Sequence, residues 1–431
     1  MTFPNYKTCQ CERSYVSCSS AAELLMAKLA ILNTHPIQYF APLYRRLAQE
    51  PDIDLTVYFC SSQGAEEYVD AGFGERIKWD RSLLDGYQHK FLKNIRRGDQ
   101  VGGFWSLINP GIVSELRKHK YDALIVNGHN HATYLLGMVA AKTLGTAVMM
   151  RCETHLGLQR SAFRTVLRRP LMSLLYNRIC DLCLPIGTLN KEFYLSHGVD
   201  QNRMFSVPYT VDNEFFTLAA RQYAKPVLHK ELGISQDKPV ILFASKLIGR
   251  KRPMDLLLAF HRLREWRVNA ALIFVGSGER EMELKGYVAE HQLSDVYFPG
   301  FKNQSELPKY YSVADVFVFP SENEPWGLVL NEVMCAGLPI IASREIGAVP
   351  DLVHEGENGF TYTAGDIDQL SSCLKRLLEA PEKRELMADK SRNIIGQWNY
   401  ERCVRGIVQA LASFNQKQPI QSPMDKSRES F

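Results

Sequence analysis

Short apolar runs of strand length alternate with helix-period segments along almost all of this chain, and that alternation leaves few folds open. In the first half the strand-like runs are KLAILNTH, IDLTVYFC, YDALIVNG and TAVMMRCE. Helical patterns at APLYRRLAQE, GIVSELRKHK and YLLGMVAAKTLG stand between them, and a long irregular stretch contains DAGFGERIKWD. The second half repeats the theme with PVILFASK, ALIFVGSG, VYFPG, DVFVFPS, LPIIAS and NGFTYT, separated by helical segments such as MDLLLAFHRLREW and IDQLSSCLKRLLEA. Runs apolar at consecutive positions suit strands buried on both faces, and their alternation with helices implies parallel, doubly wound sheets. At 431 residues the chain is too long for one ordinary core. The expected class is α/β, with two Rossmann-like domains facing across a cleft. The boundaries read as a leader over 1–27, a first domain over 28–205, a second over 206–394, a helix over 395–414 that packs back on the first domain, and a disordered tail over 415–431. The segment VPYTVDNEFF, with Pro208 and the polar residues after it, reads as the linker.

Bulk properties exclude several classes. A net charge of +4 over this length does not suggest nucleic acid, and no RNA- or DNA-reading motif is present. No apolar stretch is long enough to cross a bilayer, and the first 27 residues, with Lys7, Glu12, Arg13 and Glu23, lack a signal-peptide core. The expected location is cytoplasmic. Met26, just before the first strand, is a candidate native start. Ten scattered cysteines form no disulfide framework, and Cys180 and Cys183, though spaced as CxxC, read as buried residues of a strand.

Two charged elements sit at strand ends in the second half. SKLIGRKRP places Lys246, Arg250, Lys251 and Arg252 directly after the strand VILFA. PSENEPWGLVLNEVMCAGLP carries Glu324 and Glu332, with Pro325 and Gly337 bracketing a helix. Fixed cations at a strand end suit a diphosphate leaving group, because each contributes on the order of a few kcal/mol at ~4 Å in a partly shielded site. Carboxylates suit sugar hydroxyls, which donate hydrogen bonds to them. Taken singly, the first element also reads as a solvated basic loop, Glu324 as a helix cap and Glu332 as a helix-face charge.

Together, Lys-x4-Lys, then VGSG, then FPS-x2-E-x7-E-x4-G-L-P resembles family 4 of the glycosyltransferases, which have the GT-B fold and retain anomeric configuration. The resemblance extends over roughly 28–414 and includes GAVPDLVHEGENGF. It implies that Lys251 binds the diphosphate and that Lys246 stands where the family usually has arginine. It further implies that Glu324 contacts the transferred sugar, that Glu332 holds the ribose, and that Trp326, Gly327 and Leu328 offer backbone to sugar and phosphate oxygens. The nucleobase is expected against 298–301, Gly300 included. The first strand lacks the glycine-rich loop of many relatives. THPIQYFAPLYRRLA instead resembles a subgroup found in cell-surface polysaccharide assembly. His35 and Gln38 then face the cleft. His129, His131, Arg151, Glu153 and His155 sit at strand ends in NGHNHATY and RCETH; each singly also reads as a structural polar residue, but together they form with His35 and Gln38 an expected acceptor side, with His131 as a catalytic candidate.

The resemblance implies a retaining transfer of a hexose-type sugar from a nucleoside diphosphate sugar to a glycan or lipid-linked acceptor, with no metal and no other cofactor required. The pairs Asp52/Asp54 and Asp366/Asp368 read as a strand start and a helix cap. The run RSAFRTVLRRPLMSLLYNR, broken at Pro170, reads as a surface helix or as a basic face for an anionic membrane at the inner side of the plasma membrane. The alternatives are a sugar-nucleotide epimerase of the same fold, which needs no acceptor, and a non-catalytic partner subunit that binds donor without turnover.

Overall fold

The structure, a computed structural model, describes residues 26–415 except 71, 99 and 159–161. The expectations for the leader and the tail therefore fall almost wholly outside the described residues. The strands are β1 (Ala27–Asn33), β2 (Ile53–Phe59), β3 (Tyr68–Asp70), β4 (Glu75–Ile77), β5 (Gln88–Phe91), β6 (Ala123–Asn127), β7 (Ala147–Arg151) and β8 (Leu182–Cys183) in the first half. The second half supplies β9 (Val240–Ala244), β10 (Ala271–Val275), β11 (Val296–Gly300), β12 (Val316–Phe319), β13 (Ile340–Ser343) and β14 (Gly359–Tyr362). Two six-stranded parallel sheets form, in the orders β5-β2-β1-β6-β7-β8 and β11-β10-β9-β12-β13-β14. Numbered within each domain, both orders are 3-2-1-4-5-6, the Rossmann arrangement. Its strand order reverses between the first and fourth strands, and ligands bind beyond the carboxyl ends there. The loops after β1, β6, β9 and β12 are therefore the ones placed to build a site.

Every residue of VILFA in β9 and ALIFV in β10 is buried, as central strands covered on both faces require. The helix Ile367–Leu378 buries Leu370, Leu374, Leu377 and Leu378 along one stripe and packs on the helix Pro253–Glu265. Asp366 caps it, accepting a hydrogen bond from the Gln369 amide at 2.8 Å. DAGFGERIKWD is not irregular throughout, since β3 and β4 pair antiparallel as a small hairpin. Its alternation was too short to signal strands. Pro170 does not break the basic segment: one helix runs Ala162–Leu174 and loosens into a π turn at Leu175–Ile179.

The polar linker expected at VPYTVDNEFF is instead a buried crossing. Val207, Tyr209 and Val211 join a single apolar cluster that includes Ile31 and Val57 of the first sheet and Leu242 and Leu330 of the second half. The last helix, Tyr400–Asn415, packs on the helix Ala41–Leu47 of the first domain, and Tyr400 donates to the Tyr39 carbonyl at 3.1 Å. Gly406 there lies so close to the Ser206 carbonyl that a Cβ would stand 2.1 Å from its oxygen.

Candidate active site

The loop after β9 divides its four cations. The tight turn Gly249–Lys251 tucks Lys251 into the interior, where its ammonium pairs with the Glu324 carboxylate and lies 4.7 Å from the Phe319 ring centroid. Arg250 Nη1 reaches the same carboxylate at 2.6 Å. Lys246 turns the other way and pairs with Asp70 of the first domain, also at 2.6 Å. Arg252 is structural: it bonds to Asp255 and Glu322 at 2.6 and 2.9 Å and adopts a left-handed φ of 49°.

After β12 the chain passes through Ser321 to Glu324. The helix expected from Pro325 begins only at Val329 and ends at Cys335. Glu324 is therefore not at a helix mouth. It forms an isolated parallel bridge to Ile346, and Ser321 Oγ donates to its carboxylate at 3.1 Å. Burial works to raise its pKa, but the neighbouring Lys251 and Arg250 charges outweigh that and hold it below the ordinary carboxylate value. The late helix start follows from Gly327, whose φ of +96° is not helical and whose missing side chain leaves room for Phe319. A Cβ there would stand 2.8 Å from the Phe319 ring. Trp326 is buried and fixed by its indole N–H on Asn331 Oδ1 at 3.0 Å.

Glu332 lies inside the short helix and is only 1% exposed. Burial pushes its carboxyl up to about 7, with the Tyr311 and Tyr39 hydroxyls opposing the rise. Tyr311 donates to Oε2, and the Tyr39 hydroxyl stands close enough to favour the charged form, while Oε1 makes no hydrogen bond of normal geometry. A buried carboxylate oxygen without a donor costs free energy unless something arrives to satisfy it, so this atom points to a ligand hydroxyl.

These groups share one cavity of about 360 Å³ between the domains, within the usual size of ligand pockets. Lys246, Arg250, Lys251, Glu324, Trp326, Gly327, Leu328 and Glu332 all line it. Gly300, at φ +78°, accepts from the Gly276 amide at 3.0 Å and stands behind the lining, which Phe301, Lys302 and Gln304 supply at that end.

The expected acceptor side is divided. Gln38 and Glu153 line the cavity, and Tyr209 donates to Glu153, whose pKa burial raises. His35, His129, His131, Arg151 and His155 do not line it. His131, the catalytic candidate, is buried at the start of the helix Ala132–Thr143 with its ring edge-on to Tyr134 at 5.6 Å. His35 bonds to Thr34 Oγ1 at 2.9 Å, and burial, then the nearby His131, lowers its pKa to about 4. His129 lies beside Tyr176, with Nδ1 3.4 Å from the hydroxyl. Arg151 serves the linker: its guanidinium lies over the Phe40 and Tyr209 rings and donates to the Val207 and Pro208 carbonyls. His155 accepts from the Gly157 amide on Nδ1, which leaves Nε2 to donate to the Glu324 carbonyl at 3.2 Å. It supports Glu324 from the opposite domain.

Sequence reasoning missed Tyr39, Asp70, Phe73, Trp79 and Tyr311, all of which line the cavity. Phe73 and Trp79 were visible hints, aromatics in a segment too polar to be core. Cys180 and Cys183 are buried free thiols in the first domain's core.

Two Rossmann-like domains with a charged cleft between them define the GT-B class, and solved structures agree. A protein of Anabaena, Alr3699/HepE in complex with UDP, superposes with a TM-score of 0.67 at 18% identity, covering 90% of this chain and 100% of that one. The fold is GT-B. Residues 224–394, most of the second domain, match the family model described as glycosyl transferases group 1. Among curated relatives, the sulfoquinovosyl transferase SQD2 of Arabidopsis thaliana is 28% identical over 330 residues, 74% of this chain and 60% of that one. Spore coat protein SA of Bacillus subtilis is 34% identical over 184 residues, 40% of this chain and 47% of that one. The chain thus spans 60% and 47% of the length of these two relatives.

Proposed function

We propose that the protein is a retaining glycosyltransferase that moves a hexose-type sugar from a nucleoside diphosphate sugar to a glycan or lipid-linked acceptor in cell-surface polysaccharide synthesis. The observation that carries the donor half is one cavity that gathers Lys251 and Arg250 on the Glu324 carboxylate, Lys246 on Asp70, and the buried Glu332, whose Oε1 is unpartnered. In this reading the cations take the diphosphate, Glu324 the sugar hydroxyls and Glu332 the ribose. The acceptor hydroxyl attacks the anomeric carbon on the face from which the diphosphate leaves. The departing phosphate oxygen takes the acceptor proton as the carbon–phosphate-oxygen bond breaks. The leaving charge is met by Lys246, Arg250 and Lys251, so the reaction as proposed uses no metal or other cofactor. Gln38 and Glu153 face the acceptor from the first domain.

UDP-sugars are the first donors to test, given the UDP held by the Anabaena protein. A thermal-shift screen against UDP, GDP and ADP identifies the base, since a ligand that binds only the folded state raises the midpoint. Product analysis with and without a glycan acceptor then separates transfer from epimerisation, which needs no acceptor, and from binding without turnover. Absence of any nucleotide-dependent shift would defeat the reading.

Among the described residues no helix is long and apolar enough to cross a membrane. Contact with the anionic inner face of the plasma membrane, from the cytoplasm, is proposed on exposed Leu171 and Leu174 beside exposed Arg168 and Arg169. Liposome co-sedimentation indifferent to anionic lipid would remove that part.

A further inference from the structure

The cations of the cavity are already largely neutralised from within. Lys251 and Arg250 share Glu324, and Lys246 is held by Asp70, so these three positive charges meet two negative ones, while Lys302 at the far end of the lining has Glu306 at 3.8 Å. A diphosphate brings about two more, and a site of this balance takes it well only if a carboxylate withdraws. Glu324 is poorly placed to do so. It is buried, bonded to Ser321, and supported through its carbonyl by His155. Asp70 is held differently: besides pairing with Lys246, its carboxylate accepts from the Gly72 and Phe73 amides of its own turn, at 2.8 and 3.1 Å. All three donors converge on Oδ1, as they would on a phosphate oxygen. Gly72 permits this approach, because a Cβ there would stand 2.7 Å from Lys246 Cδ and 2.8 Å from Nζ.

The segment carrying Asp70 is anchored independently of that pair. Ser277 donates to the Phe73 carbonyl at 3.1 Å, and the Phe73 and Phe301 rings meet edge-on at 4.8 Å. Asn303 donates to the Lys78 carbonyl at 2.6 Å, and Arg81 pairs with Asp212 at 2.8 Å. Substitution of Asp70 therefore leaves the segment docked on the second domain.

We propose that Asp70 is an internal competitor for the diphosphate: its carboxylate occupies the phosphate position on Lys246, and a nucleoside diphosphate binds by displacing it. Asp70 so sets the affinity and the charge that a ligand must carry, because a neutral nucleoside gains nothing from the exchange. The inference rests on the donor reading given above.

The test is calorimetric titration of the full-length protein, its Asp70→Asn and Asp70→Ser variants, and a Glu75→Gln control on the same hairpin, with UDP, GDP, ADP and the matching nucleosides. Asp70→Asn and Asp70→Ser are expected to bind the preferred diphosphate at least about threefold tighter, the weight of a partly exposed ion pair. Their affinity for the nucleoside is expected to be unchanged, and Glu75→Gln to match wild type. If Asp70 is instead a clamp that holds the domains together, both variants bind the diphosphate equally or more weakly, and the proposal is overturned while the donor reading stands. If neither wild type nor variants bind any diphosphate, the donor reading falls and the proposal with it. Unliganded thermal midpoints within a few degrees of wild type establish that the variants are folded.

Discussion

Glu332→Gln is expected to stabilise the free protein at pH 8 while impairing its function. In the unfolded chain this carboxyl ionises near 4.5, whereas burial holds it protonated to about 7 in the fold. Between those values the unfolded state binds fewer protons, so stability present below pH 4.5 is lost as pH rises, and the loss is complete above 7. The difference corresponds to at most about 3 kcal/mol, at 1.36 kcal/mol for each pH unit. Glutamine keeps the volume and a carbonyl oxygen for the Tyr311 hydroxyl, and it carries no charge to desolvate. Urea unfolding of wild type and variant between pH 4.5 and 8 measures the effect as the growing gap between the two curves. Near pH 4.5 the curves should nearly coincide, and at pH 8 the variant should be the more stable by up to about 3 kcal/mol. Nucleotide binding should move the opposite way. Loss of a charged acceptor for ligand hydroxyls costs about 1.5–3 kcal/mol, roughly tenfold or more in affinity. A variant less stable than wild type at pH 8, or one that binds nucleotide normally, would refute the argument that this buried carboxylate is strained until a ligand satisfies it.

Three further outcomes are expected. Lys251→Ala or Glu324→Gln lowers sugar transfer at least about tenfold, read as initial rates with saturating donor, because each removes a charged contact at the leaving group or the sugar; wild-type rates in both defeat the site assignment. Gly327→Ala costs about 1–3 kcal/mol in urea unfolding, since a side chain at φ +96° is strained and its Cβ meets Phe319; an unchanged midpoint would show that the loop has another conformation. His155→Ala removes the donor to the Glu324 carbonyl and is expected to lower kcat several-fold with little change in donor affinity, which a full effect on KM alone would contradict.

The alternation of apolar runs with helical periods, together with chain length, determined the α/β class and the two sheets. Those signals are local: a strand buried on both faces must be apolar at every position, as VILFA and ALIFV are. The charged residues of the second domain's site were legible for a related reason. Lys246, Lys251 and Glu324 lie on the loops that leave β9 and β12, and Glu332 on the helix that follows β12, where a parallel sheet gathers its ligands, so spacing along the chain carries spatial meaning.

Everything that depended on one domain meeting the other was decided by the tertiary structure alone. Asp70 faces Lys246 across 176 positions of sequence, and His155 reaches Glu324 across 169. No periodicity encodes such separations. The histidines of the first domain illustrate the converse. Strand-end position suggested a shared acceptor site, yet His131 turned into the core and His155 supported a carbonyl, because a strand end fixes where a residue starts and not which way its side chain packs. The pKa of Glu332 also belongs to the fold, since burial raises it and the Tyr311 and Tyr39 hydroxyls only partly offset the rise. Sequence named the second domain's charges of the cleft; which of them pair, the arrival of Asp70 on Lys246, and the unpaired oxygen of Glu332 came from the tertiary structure.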